Sequence, residues 1–325
     1  MTQRSFYWDN LRFYLIVLVV VSHGVIRYSN ASGLCASITL FINTFHMPLF
    51  IFISGIFHCE SNIKRRIIIL IGYVFYMKTF NMEFNYLVLG ADKNIRLLYE
   101  DSSPWFLIAL AVFCGVTYIV RDIDKRYVFG VSIILALLVG YDAEVANSPV
   151  ISRIIAWYPF YYLGSIIERN DVMIFLTKRL SRFIGESFIS MFAVLCICFK
   201  SRIWGLWYLM TPRLYKTVPY KIGGGGQLLH YILVALIGIS FMTIIPSKQI
   251  PGISKWGRNS LSVYMYHLSI REVFYKYGIS DYLVQTSLGV IMLCCINVLI
   301  TILLSLDVVS IPANYLKKLC YGQRT

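Results

Sequence analysis

Charge is what this sequence has least of. Only 14% of its 325 residues are Asp, Glu, Lys or Arg, against about 25% in a soluble globular domain. That scarcity excludes an ordinary water-facing surface, and a mean hydropathy of +0.67 with 58% apolar residues agrees. Acidic side chains are scarcer still, 16 against 30 Lys and Arg. The net charge of +14 does not make a nucleic-acid face, because the basic residues form short clusters between apolar runs rather than one patch. Paired cysteine motifs with zinc spacing are missing. The eight cysteines (Cys35, Cys59, Cys114, Cys196, Cys198, Cys294, Cys295, Cys320) lie in or at the ends of apolar segments and read as packing residues, not as a disulfide or metal framework. Internal repeats are absent, and the one low-complexity piece, Gly223–Gly226, is expected to be a flexible joint.

Apolar length is what the sequence has in quantity. Stretches able to cross a bilayer recur at 11–27, 38–58, 67–90, 104–120, 128–141, 150–167, 184–200, 228–246, 258–276 and 287–306. They predict an all-α, polytopic integral membrane protein with about ten transmembrane helices in a single domain over 1–325. The third stretch turns polar in its second half (Lys78, Asn81, Glu83, Asn85), so it is expected to face protein or a cavity rather than lipid. With alternating runs, Lys64-Arg65-Arg66, Arg121 to Arg126, Lys178-Arg179, Lys255 to Arg258 and Lys317-Lys318 fall on the side of the N-terminus. That asymmetry predicts both termini in the cytoplasm. No small-x-small cleavage site follows the first run, which therefore reads as a span and not as a cleaved signal.

Five histidines and a few arginines interrupt this apolar background. Arg12 and His23 are eleven residues apart, close to three helical turns, so they share a face about 16 Å apart along the axis. Asp9 precedes Arg12 by one turn on nearly the same stripe. Two readings stand for the pair: an interfacial arginine that snorkels beside an interior histidine, or two functional groups facing a cavity. In the second run, His46 lies in the same outer half as His23, Pro48 frees backbone carbonyls, and Ser54-Gly55 allows close helix approach. His58 is expected solvated at a helix end and His230 interfacial. His267 is expected either to point inward or to bond a neighbouring carbonyl.

Together these residues resemble a known family. Arg12, ten residues and His23 look like the signature of the acyltransferase-3 family of membrane acyltransferases. The fuller set is similar to its fucose 4-O-acetylase-like branch. That set is Tyr7-Trp8-Asp9-Asn10-Leu11-Arg12, Phe45-His46-Met47-Pro48-Leu49-Phe50 with Ser54-Gly55, Pro104-Trp105-Phe106-Leu107, Ser152-Arg153 with Pro159-Phe160 and Leu163-Gly164, and Gly257-Arg258-Asn259-Ser260-Leu261 with Tyr266-His267. The pieces occur in family order across nearly the whole chain.

The resemblance implies transfer of an acyl group, usually acetyl, from cytoplasmic acyl-CoA to a sugar hydroxyl of an envelope or exported glycan at a bacterial inner membrane. Acetyl-CoA would be a co-substrate, with no bound cofactor or metal, and a glycan or lipid-linked sugar the acceptor. Transfer to an alcohol needs a base, and histidine titrates near neutrality, so His23 is the expected general base. Arg12, Arg65 and Arg66 are expected on the CoA phosphates, where guanidinium pairs with phosphate oxygens. His46, Trp105 and Arg153 are candidates for the acceptor side, an indole face being able to stack on a sugar ring. A transporter or flippase of lipid-linked sugar or a small solute would share the composition, but it would be expected to show an inverted repeat or broken helices in matching halves, and neither is present. A non-catalytic homologue serving as an assembly or receptor subunit is a third reading, which an intact Arg-x10-His pair opposes.

Overall fold

The computed structural model describes residues 6–91, 104–203, 214–217 and 223–321. Among them every regular element is helical. The principal helices are α1 (Phe6–Val25), α2 (Gly33–Ile56), α3 (Ile63–Leu89), α4 (Trp105–Ile119), α5 (Lys125–Leu138), α6 (Pro149–Ile166), α7 (Arg169–Thr177), α8 (Arg179–Cys198), α9 (Gly223–Ile244), α10 (Ile253–Arg258), α11 (Ser260–Lys276), α12 (Ser287–Leu304) and α13 (Asp307–Tyr321). In lipid a spanning segment must satisfy its own backbone, and helices do so internally.

Among the described residues, six helices are long and apolar enough to cross a membrane: α1 with the short turn after it, α2, α3, α8, α9 and α12. The pair α6 and α7 passes the same test only when joined, and it bends by 90° at the junction. Helix α4 is apolar but short. Fourteen residues of α5 reach about 21 Å at 1.5 Å each, less than the roughly 30 Å hydrocarbon core. Helix α11 carries Arg271, Glu272 and Lys276 in its last turns, which lowers its hydropathy.

By contact the chain divides into two compact units. The first comprises 1–42, 72–104 and 245–325, the second 43–71 and 105–244. In the first, α1 packs on α10, α11 and α12. Leu11 and Leu15 are fully enclosed. Lipid is as apolar as leucine, so dispersion and hydrogen bonds rather than water exclusion hold such helices together. Asn10, with no exposed surface, gives both Nδ2 protons to the Pro246 and Lys248 carbonyls at 2.8 and 2.9 Å. Its Oδ1 accepts the Ser254 hydroxyl at 2.7 Å. That side chain therefore ties the segment 246–254, which leads into α10, to the N-terminal half of α1. Asn10→Ala is expected to cost about 2–3 kcal/mol by removing three hydrogen bonds and leaving the buried Ser254 hydroxyl without its acceptor. A thermal melt in detergent should fall by at least about 5 °C; an unchanged midpoint would refute this role.

The motif Gly257-Arg258-Asn259 proves to be a docking device. A Cβ on Gly257 would run into the Asp9 carbonyl, so only glycine lets α10 sit this close to α1. Asn259 Nδ2 reaches both the Ser305 carbonyl at 2.8 Å and Asp307 Oδ1 at 3.0 Å. Lys255 Nζ meets Asp307 Oδ2 at 2.7 Å, and these partners hold the Asp307 carboxyl below its usual range. Of the polar residues in the second half of α3, Asn81 faces protein, its Oδ1 accepting the Ser269 hydroxyl at 2.8 Å; one turn earlier the Tyr76 and Tyr266 hydroxyls pair at 2.7 Å.

In the second unit α8 packs on α9, and α6 packs on α4 and α5. Gly55 and Gly164 form a reciprocal crossing of α2 and α6. A Cβ on either would strike the facing backbone carbonyl, Tyr161 for Gly55 and Phe52 for Gly164. This is the close approach that Ser54-Gly55 led us to expect. The glycine run is not a joint. Gly223–Gly226 forms the first turn of α9, where the Tyr141 hydroxyl accepts the Gly224 N–H at 3.1 Å and its ring packs against the turn. Of the 200–227 segment, 204–213 and 218–222 lie outside the described residues.

Candidate functional site

Among the described residues, helix α1 alone carries two of the expected site residues on one stripe. Asp9 occupies its first turn and His23 its last, an acid at the positive end of the helix dipole and a base at the negative end. Arg12 points its Nη1 at Asp9 Oδ1, 3.4 Å away; Asp9 is buried, and the Arg12 side chain keeps 28% of its surface. Being one continuous helix, α1 holds Arg12 and His23 about 16 Å apart along its axis.

His23 is half-buried, and its environment is more specific than sequence spacing suggested. The His267 ring of α11 lies 5.3 Å from the His23 ring, centroid to centroid, tilted by 42°. Tyr275, two turns further along α11, donates its hydroxyl to the His23 carbonyl at 3.1 Å. Gly24 lies against the Asn297 amide of α12, with no room for a Cβ. Two cations, Arg27 and Arg271, stand within 4.8 and 5.4 Å of the Tyr275 ring centroid. Arg271 also pairs with Glu272.

His267 itself is 3% exposed. Its Nδ1 contacts the Val263 and Tyr264 carbonyls, both at 3.0 Å. Both expectations for this residue hold together: it bonds its own helix and it faces inward. Its Nε2 is buried without a hydrogen-bond partner.

The other expected residues belong to the second unit. His46 is buried on α2, two positions before Pro48. Trp105 and Arg153 come together, the guanidinium carbon 5.0 Å from the indole centroid, with Trp157 packed on Trp105 at 5.1 Å. Lys64, Arg65 and Arg66 form the first turn of α3; Arg65 is exposed and Arg66 half-buried. Cations there oppose the helix dipole, while a helix N-terminus is a favourable place for an anion.

Arg66 has a structural duty as well. Its Nη1 donates to the Phe57 carbonyl at 2.8 Å, and Arg169 Nε donates to the Ile56 carbonyl at 3.0 Å. Together they cap the last carbonyls of α2, which a helix end leaves without intrahelical partners. Arg169 was not singled out from sequence, because its partner lies far away in the chain.

Two histidines depart from expectation. His58 is not solvated: its Nδ1 meets the Tyr161 hydroxyl at 2.9 Å, and its Nε2 is buried without a partner. Burial, and then the nearby Arg66 charge, lower its pKa. His230 is not interfacial: it is 3% exposed on α9, and neither ring nitrogen has a hydrogen-bond partner. Flanking residues gave no signal of either, since burial here comes from helices distant in sequence.

No curated protein matches this chain, and neither does any solved structure. A family profile described as an acyltransferase domain matches residues 5–306, from the helix that carries Arg12 and His23 to the one that packs behind it. Multiple apolar helices and that match over nearly the whole chain make this a multi-pass membrane acyltransferase, and the protein belongs to the acyltransferase-3 family.

Proposed function

We propose that the protein is a membrane O-acetyltransferase of the fucose 4-O-acetylase-like branch. It moves an acetyl group from cytoplasmic acetyl-CoA to a sugar hydroxyl of an envelope or exported polysaccharide, at a bacterial inner membrane. The arrangement we assign to it is one domain over 1–325, with about ten spans and both termini in the cytoplasm. The observation that carries the reading is the half-buried His23, held at the end of a protein-enclosed helix beside a second histidine and on one stripe with Arg12.

In the reaction, His23 takes the proton of the acceptor hydroxyl as its oxygen attacks the thioester carbonyl. The tetrahedral intermediate expels the CoA thiolate, and the His23 imidazolium returns the proton to that sulfur. Carbonyls at the C-terminal end of α1 face the transient positive charge. Arg12, Arg65 and Arg66 are assigned to the CoA phosphates, on charge and on their places at helix ends. His46, Trp105 and Arg153 are assigned to the acceptor; the Arg153–Trp105 stack gives a flat, cation-backed surface suited to a sugar ring.

The test is a comparison of surface glycan from cells with and without the gene. NMR of the purified polysaccharide should show an O-acetyl resonance and the downfield shift of one ring proton, both lost on deletion. Identical spectra, with the lipid-linked precursor accumulating on one side of the membrane, would favour a flippase.

A further inference from the structure

Imidazole has two nitrogens with complementary roles, and a hydrogen bond to one fixes the other. Nδ1 of His267 contacts two main-chain carbonyls, which can only accept. It must therefore carry the proton, and in the neutral ring Nε2 must be a bare acceptor. Because those carbonyls belong to the preceding turn of α11, Nε2 lies across the ring, on the edge turned away from that backbone. The His23 ring sits 5.3 Å away. A linear N–H···N bond between two imidazoles places their centroids about 5 Å apart. A buried acceptor without a partner is costly, on the order of 1–3 kcal/mol, so such a group calls for an explanation.

Burial separates the roles. His267 is 3% exposed and cannot reach an acceptor sugar, whereas His23 keeps open surface. We propose that His267 is a positioning residue for His23: when substrate enters, the His23 ring turns so that the bare Nε2 of His267 accepts its N–H, which aims the basic nitrogen of His23 at the substrate and lets His267 share the positive charge when His23 takes the proton. This rests on the reading of His23 as the base. In that state fixed tautomers run from the Val263 and Tyr264 carbonyls through His267 to His23, and a neutral histidine takes the place that a carboxylate holds in a serine-type triad.

The test uses the full-length protein in native membranes, with CoA release from acetyl-CoA and acetyl transfer to endogenous glycan as readouts. His267→Ala should lower kcat at least about 30-fold with the KM for acetyl-CoA within about 2-fold. His267→Gln, whose amide oxygen can stand where Nε2 was, should recover part of the loss; His267→Phe, which fills the space without an acceptor, should not. The double variant His23→Ala, His267→Ala should be no slower than His23→Ala alone, because both act through one group.

Wild-type kcat in His267→Ala, equal loss in the Gln and Phe variants, or additive loss in the double variant would each overturn the proposal while leaving His23 as base. Full activity in His23→Ala beside dead His267 variants would instead end the reading of His23. If His267→Ala fails to accumulate in the membrane, the contrast between Gln and Phe decides.

Discussion

His23→Ala is expected to lower acyl transfer by roughly 10²- to 10⁴-fold, the usual contribution of a positioned general base, with the protein still inserted and abundant. The loss should fall on kcat and leave the KM for acetyl-CoA nearly unchanged, because the imidazole acts on the acceptor proton and not on the CoA phosphates. The bland alternative, an interior histidine that serves packing, predicts a different pattern: fewer folded molecules, each with wild-type turnover. Normalising transfer to the detergent-extracted, monodisperse fraction separates the two. Near wild-type activity per folded molecule would remove His23 from the chemistry. His23→Gln should be as inactive as His23→Ala, since an amide keeps hydrogen bonds but cannot hold a proton at neutral pH.

The reason such a test can be designed from sequence is that α1 is legible. Its apolar run from Phe13 to Val21 reads as a helix in lipid, and helical periodicity then puts Arg12 and His23 on one stripe. The glycine at 55 announces close packing for a similar local reason: a small residue in an apolar helix marks where another backbone approaches. Local rules failed where the answer depends on which distant helix arrives. His58 ends an apolar run and looks solvated by position, yet it is covered and bonded by Tyr161. The four glycines 223–226 look flexible by propensity, yet Tyr141 packs on the first two and all four begin a helix. His267 is visible in the sequence as part of a motif, but nothing local says that its ring meets that of His23.

Span counting shows the same boundary. Composition identifies the long apolar helices, and among the described residues six stand out by length and hydropathy. It is ambiguous for α5, α6 with α7, and α11, which are short, bent or charged at one end. Whether such pieces cross the bilayer is decided by what covers their polar side chains, as Asn81 and Tyr76 on α3 do for Ser269 and Tyr266 of α11. A hydropathy window averages over those contacts.

Arg12→Ala is expected to raise the KM for acetyl-CoA about 10- to 100-fold while leaving the turnover at saturation within about 3-fold. A charge-assisted contact to phosphate is worth roughly 1.5–3 kcal/mol, and binding made equally in ground and transition states appears in KM alone. The competing effect is structural. Asp9 is buried beside Arg12, so losing the guanidinium removes one of its partners and destabilises the first turn of α1. The two effects separate by ligand as well as by enzyme. If Arg12 holds a phosphate of CoA, wild-type enzyme should prefer acetyl-CoA to acetyl-pantetheine, and the variant should lose about the same factor of that preference. A purely structural role weakens both donors alike. Arg12→Lys keeps the charge but not the planar fork, so it should fall between wild type and Ala on acetyl-CoA. An unchanged KM in Arg12→Ala, measured on folded protein, would take the phosphate role from Arg12 and leave it as the partner of Asp9.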